Sequence, residues 1–152
     1  MSARSRAWCL AGALCGIVVA VDQAAKALVE ANLVPGQQVD VLGSAVGLTL
    51  SHNQGVAFGL ASGSGVALVV FALLALGFVG FLLARDPTRP GMWVAVGLIS
   101  GGAIGNLADR VRADAVTDYI AIGSWPPFNL ADVAITTGVA LLAFLYLREG
   151  EG

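Results

Sequence analysis

Four long apolar stretches alternate with short polar or glycine-rich segments along the chain, near Trp8–Val29, Gly65–Leu83, Met92–Arg110 and Phe128–Leu147. Each approaches the roughly 20 residues that a helix needs to cross the hydrocarbon core of a bilayer. The pattern predicts an all-α membrane protein, one integral-membrane domain over residues 1–152 with four transmembrane helices. The second and third stretches are split by Arg85, Asp86, Pro87, Arg89 and Pro90, a run that cannot continue a helix in lipid. Between the first and second, Val39, Val41, Val46, Leu48 and Leu50 alternate with other residues around Gly43-Ser44, which predicts a small β-hairpin at the membrane surface. Residues 113–127 are expected to form a second loop on the same side as the hairpin. They end in Trp125-Pro126-Pro127, an interfacial anchor followed by a stop before the last helix.

Composition agrees with lipid as the solvent. The chain is 57% hydrophobic and 12% charged, and its mean hydropathy is +0.83. Soluble domains run at about 45–50% apolar and about 25% charged. A net charge of −2 gives no footing for nucleic acid. Cys9 and Cys15 fit no metal or redox spacing and read as small fillers of the first helix. Arg4 and Arg6 ahead of that stretch resemble a signal-peptide start, but Asp22 and Lys26 follow without a small-residue cleavage site, so the segment is expected to be a retained first helix. Counting Lys and Arg in the loops puts Arg4, Arg6, Arg85, Arg89 and Arg148 on one side, with Lys26, Arg110 and Arg112 on the other. The excess marks the cytoplasmic side, so both termini are expected inside and the hairpin outside.

Polar residues within or beside the spans carry the functional signal, because an ionisable group at mid-bilayer costs about 2.5–3.5 kcal/mol on insertion scales. They are Asp22, Lys26, Asn53, Asn106, Asp109, Arg110, Asp118, Asn129 and Asp132. With the expected topology, all nine fall at the outer face, although five segments supply them. Asp132 lies about 6 Å below Phe128 at 1.5 Å per residue. Gly97, Gly101 and Gly105 form a close-packing stripe whose next turn is Asp109. Asp22 and Lys26 are i,i+4 neighbours, and Asn106 with Asp109 and Arg110 share one helix face. Asp22 and Asp109 each have an adjacent base, which suits ion pairs that fix packing. Asp118 and Asp132 have none nearby.

The chemistry narrows by elimination. His52 is the sole histidine and reads as an ordinary surface-loop residue. No serine sits in a nucleophile-elbow setting, and no His-Glu-x-x-His or Cys/His cluster suggests zinc. Carboxylates remain. Two held close share a proton, so that one takes a proton from water while the other gives one to a carbonyl oxygen. Such a site needs neither metal nor cofactor. A proton- or ion-coupled transporter would also use buried carboxylates, but its polar path should reach both faces. An assembly protein built on the glycine stripe would leave Asp118 and Asp132 without a role.

Five blocks occur in order along the chain: Val21-Asp22-Gln23 with Lys26; residues 53–59, beginning Asn53-Gln54-Gly55; residues 101–110, ending Gly105-Asn106-Leu107-Ala108-Asp109-Arg110; Val116-Thr117-Asp118-Tyr119-Ile120; and Phe128-Asn129-Leu130-Ala131-Asp132. They resemble the successive motifs of bacterial lipoprotein signal peptidase (signal peptidase II). Ala25, Val56 and Tyr119 depart from the usual residues without touching the two acids. The resemblance implies an aspartyl endopeptidase of the bacterial inner membrane, acting near the extracytoplasmic face, and the chain itself is expected to be a monomer. Its substrates would be diacylglyceryl-modified prolipoproteins, cut on the amino side of the lipidated cysteine, and the cyclic peptide globomycin would block it. It implies Asp118 and Asp132 as the catalytic pair, with Asp22, Lys26, Asn53, Gly55, Asn106, Asp109, Arg110 and Asn129 lining or bracing the site. Gly55, Gly59 and Gly63 suggest that part of the first outer loop moves as a lid.

Overall fold

The computed structural model describes residues 1–43, 45–55 and 65–148. Four helices, α1 (Ala3–Asn32), α2 (Gly65–Arg85), α3 (Met92–Ala113) and α4 (Leu130–Leu147), combine with four short strands. All four helices are long and apolar enough to cross a membrane. The bundle is apolar on the outside: Ile17, Phe71, Leu74, Phe78, Phe81 and Phe144 are exposed, while Asp22, Lys26 and Asn129 are buried. Burying such groups in place of Leu and Phe makes sense only where lipid, not water, covers the surface.

The first three helices outrun the apolar stretches that announced them. α1 starts five residues before Trp8, where the Ser2 hydroxyl accepts from the Ser5 backbone N–H at 3.1 Å. It is about 45 Å long at 1.5 Å per residue. α3 continues past Arg110 to Ala113 and stops at Asp114, whose left-handed φ of 54° turns the chain toward the next strand. Polarity marks the edge of the lipid, whereas a helix ends where its backbone is capped. α4 starts later than expected because Asn129 caps it. The Asn129 side chain accepts from the Asp132 N–H at 2.9 Å, and the Asp132 carboxylate accepts from the Asn129 N–H at 3.2 Å. This reciprocal cap satisfies two otherwise orphaned donors.

α3 is the central helix and packs against the other three. Its glycine stripe is the seam with α1. A Cβ on Gly101 would lie 2.6 Å from Val18 Cβ, and one on Gly105 would lie 2.7 Å from Asp22 Oδ2. A second close approach joins α3 to α4, where a Cβ on Gly138 would lie 2.7 Å from Ile99 Cγ1. Backbones this near let short polar side chains reach across the interface.

The expected hairpin forms from β1 (Gln38–Leu42) and β2 (Val46–Asn53), with Leu42 opposite Val46; Ser44 lies outside the described residues. Residues 113–127, expected as a loop, are largely strand. They hold β3 (Val116–Ile122) and begin β4 (Trp125–Phe128), giving one antiparallel sheet in the order β1-β2-β3-β4. Pro126 and Pro127 sit in β4 at the sheet edge, where a strand can spare its N–H groups. Local pattern did not reveal β3 because its burial runs almost unbroken from Val116 to Tyr119 instead of alternating. Pairing with β2 aligns Ser51 with Asp118, His52 with Thr117 and Asn53 with Val116.

Candidate active site

The ten residues singled out from the sequence join in one hydrogen-bonded network at the end of the bundle capped by the sheet. It begins at Lys26 on α1, which is 3% exposed. The Lys26 ammonium lies 2.8 Å from Asp22 Oδ2 and 2.6 Å from Asp109 Oδ2, and donates to Asn106 Oδ1 at 3.0 Å. Asp22 also accepts from the Ala131 backbone N–H at 3.0 Å, which ties α1 to the first turn of α4. The expected pairing of Asp109 with Arg110 is not what holds it. Its base is Lys26 from another helix, because the glycine seam brings α1 within reach of Asp109. Arg110 donates to the Asn106 carbonyl at 3.4 Å and lies within electrostatic reach of Asp132, Asp118 and Asp109.

Lys26 also sets the direction of the network. An ammonium only donates, so Asn106 must turn its oxygen toward Lys26 and its NH2 group away. That NH2 donates to Asp132 Oδ1 at 2.8 Å. Asn106 Oδ1 accepts in addition from Asn129 Nδ2 at 3.1 Å, and the same Nδ2 donates to Asp118 Oδ1 at 2.7 Å. On the sheet side, the Gly55 N–H donates to Asn53 Oδ1 at 2.8 Å, which aims Asn53 Nδ2 at Asp118 Oδ2, 3.0 Å away. Gly55 has φ +82°, and a Cβ there would run into Leu68, so this turn requires glycine. Gly59 and Gly63, the rest of the suggested lid, lie outside the described residues.

Asp118 and Asp132 thus each receive an N–H on both oxygens, and Asn129 serves both: Asp118 through its side chain, Asp132 through its backbone. Asp118 is 3% exposed. Burial pushes its carboxyl above the usual carboxylate range, the charge of Asp132 adds to this, and the Asn53 and Asn129 amides and Lys26 oppose it. An open cavity of about 290 Å³ lies over Asp118, lined also by Ser51, His52, Asn53, Gln54, Pro126 and Pro127. His52 is therefore more than the loop residue expected: it lies on β2 and lines this cavity. Three further residues brace the network. Gln23 donates to Asp109 Oδ1 at 2.9 Å, the Thr117 N–H to Asp109 Oδ2 at 3.5 Å, and the Thr117 hydroxyl to Glu30 at 2.6 Å. Glu30 was findable, since it follows Lys26 by four residues on α1. Thr117 was not, because its role depends on the β2–β3 pairing. Among the described residues, no three His, Cys, Asp or Glu side chains group as a metal site would need.

A family model described as signal peptidase (SPase) II matches residues 14–148. The chain belongs to the signal peptidase II family. A lipoprotein signal peptidase of Moorella thermoacetica is 40% identical over 137 residues, covering 89% of this chain and 91% of that protein. One from Pelotomaculum thermopropionicum is 39% identical, with 89% and 90% covered. The fold also matches a solved bacterial membrane enzyme, determined by the in meso method, with a TM-score of 0.85, 28% identity and 91% and 92% of the two chains covered. The signal peptidase II match runs from within α1 to the end of α4, so every residue of the network lies inside it.

Proposed function

We propose that the protein is an aspartyl endopeptidase that removes signal peptides from diacylglyceryl-modified prolipoproteins, with Asp118 and Asp132 as its catalytic pair. Its family is one of signal peptidases, its four helices suit a multi-pass membrane protein, and the relatives named above are lipoprotein signal peptidases. The observation that carries the mechanism is the pair itself: two carboxyls linked through Asn129, one of them under an open cavity.

In this reading Asp118, held above the ordinary carboxylate range by burial, is the protonated partner. Asp132, fixed by the Asn106 NH2 and the Asn129 N–H, serves as the base. Asp132 takes a proton from water as its oxygen attacks the scissile carbonyl, and Asp118 gives its proton to the carbonyl oxygen. The tetrahedral intermediate collapses with cleavage of the C–N bond. The leaving nitrogen, that of the lipidated cysteine, takes the proton held by Asp132, and Asp118 recovers its own from the hydroxyl group. The polar network sits at the extracytoplasmic side and both termini at the cytoplasmic side of the bacterial inner membrane. The support is the cluster of Arg4, Arg85 and Arg89 at the other end of the bundle, where Arg4 donates to the Ala84 carbonyl at 3.2 Å. A monomer suffices, because one chain supplies both acids and their braces, and globomycin would compete for the cavity over Asp118.

The test uses purified protein in detergent with a diacylglyceryl-modified prolipoprotein. Wild type should release the signal peptide without added metal, globomycin should block it, and Asp118→Asn and Asp132→Asn should cleave roughly 10²–10⁴-fold more slowly. Full activity in either variant would overturn the assignment.

A further inference from the structure

A peptide carbonyl oxygen gains negative charge as water adds to its carbon, and preorganised donors around that oxygen speed the reaction. Asp118 would supply one such donor. The amides beside the acid pair are turned onto carboxylates instead: Asn53 Nδ2 onto Asp118 Oδ2, Asn106 Nδ2 onto Asp132 Oδ1 and Asn129 Nδ2 onto Asp118 Oδ1. The cavity wall made by Pro126 and Pro127 has no backbone N–H to give at either residue.

Ser51 of β2 is placed to give a second hydrogen bond. It lies directly opposite Asp118 across the antiparallel ladder, and opposite side chains share a face with Cβ atoms about 4.5–5.5 Å apart. Asn53 marks which face this is. It follows Ser51 by two residues and so points the same way, and its side chain reaches Asp118 Oδ2 at 3.0 Å. His52, between them, alternates to the other face with its opposite residue Thr117, whose hydroxyl donates to Glu30 of α1. Gln54 follows the end of the strand and is exposed. Ser51 is half-buried and lines the cavity over Asp118. Its hydroxyl makes no hydrogen bond to another described residue, so it is open to whatever enters the cavity.

We infer, on the aspartyl reading above, that Ser51 is a further catalytic residue: its hydroxyl donates to the scissile carbonyl oxygen, held between Ser51 Oγ and the Asp118 carboxyl. An oxygen within about 3 Å of both groups fits the spacing of two opposite side chains. The bond strengthens as charge develops on that oxygen, while Asp118 hands over its proton. Ser51 forms no covalent bond and keeps its own proton, so the atoms and protons of the reaction balance as before. A serine hydroxyl suits the task because it rotates to follow the oxygen from planar to tetrahedral geometry.

Cleavage of a diacylglyceryl-modified prolipoprotein by the full chain in detergent, followed across pH, tests it. Ser51→Ala should lower kcat about 10–10²-fold, at or below the usual loss of one oxyanion donor, with KM changed less than about twofold. It should unfold at the wild-type temperature and keep the wild-type pH limits. Ser51→Thr, which retains the hydroxyl and suits a strand, should recover most of kcat, and Ser51→Val, of the same shape without the hydroxyl, should not. Wild-type kcat in Ser51→Ala alongside an impaired Asp118→Asn would overturn the role of Ser51 and leave the acid pair standing. Full activity in Asp118→Asn would overturn the aspartyl reading itself. A raised KM at unchanged kcat in Ser51→Ala, or an alkaline limit that moves, would also overturn the role, because the hydroxyl would then hold only the bound substrate or act on Asp118.

Discussion

The network holds two sets of carboxylates in contrasting surroundings. Asp22 and Asp109 are clamped on one ammonium, Lys26, at 2.8 and 2.6 Å. Asp118 and Asp132 are held by neutral amides from Asn53, Asn106 and Asn129. An acid paired with a buried cation is committed to its charge, and removing the cation strands it. An acid held by amides keeps its position in either protonation state, because an amide N–H can be accepted by a carboxylate or by the carbonyl of a carboxylic acid. The first arrangement suits a fixed scaffold and the second suits proton exchange. The carboxylates are chemically alike, and only their neighbours distinguish the two sets.

The division should break most visibly in activity. Asp118→Asn and Asp132→Asn are expected to lower single-turnover cleavage by roughly 10²–10⁴-fold, the usual weight of a general acid or base, with the fold intact by circular dichroism. Next is Lys26→Met, which leaves Asp22 and Asp109 buried without their cation. It should cost about 3–5 kcal/mol in unfolding experiments in detergent, and activity should fall because the protein is no longer folded. A Lys26→Met protein as stable as wild type would erase the distinction between the two sets.

Asn129→Ala is a smaller perturbation that touches both functions. Losing the α4 cap should cost about 0.5–2 kcal/mol, and the hydrogen bond to Asp118 goes with it, so turnover should drop by more than the unfolded fraction explains. The smallest effects should be pH-dependent. The Asp118 carboxyl is raised in the folded state, so ionising it costs stability as pH rises from its unfolded value, about 4, through its folded value. Asp118→Asn should therefore be slightly more stable than wild type at neutral pH, and this advantage should vanish near pH 4 and below. Activity that needs protonated Asp118 should likewise fall on the alkaline side. Asn53→Ala removes a hydrogen bond that favours the ionised form, so it should move that limb to higher pH in pH–rate profiles.

The four helices long and apolar enough to cross a membrane, the hairpin and the residue types of the site were legible in the sequence because each leaves a local mark. A run of about 20 apolar residues, an i,i+4 acid and base, or glycines four apart constrain neighbours along one element. Even the partner of the glycine stripe was half visible, since the stripe leads to Asp109. Relations between elements were hidden. That Asp109 belongs to Lys26 instead of Arg110 depends on how deeply α1 nests into α3. That residues 116–128 form strands, and that β2 lays Asn53 beside Asp118, depends on two loops more than 60 residues apart meeting in one sheet. Backbone pairing of that kind is set by what each strand finds across from it, which no local pattern records.

By itself the sequence determined the solvent and the inventory: a chain too apolar for water, with its polar groups concentrated in a few short motifs. The tertiary structure decided which acid pairs with a charge and which with an amide. The physical reason is range. Burial in lipid is a property of each segment alone, and composition reports it. The environment of a carboxyl is set within about 3 Å by side chains from other segments, and only the folded chain brings Lys26, Asn106, Asn129 and Asn53 to their partners.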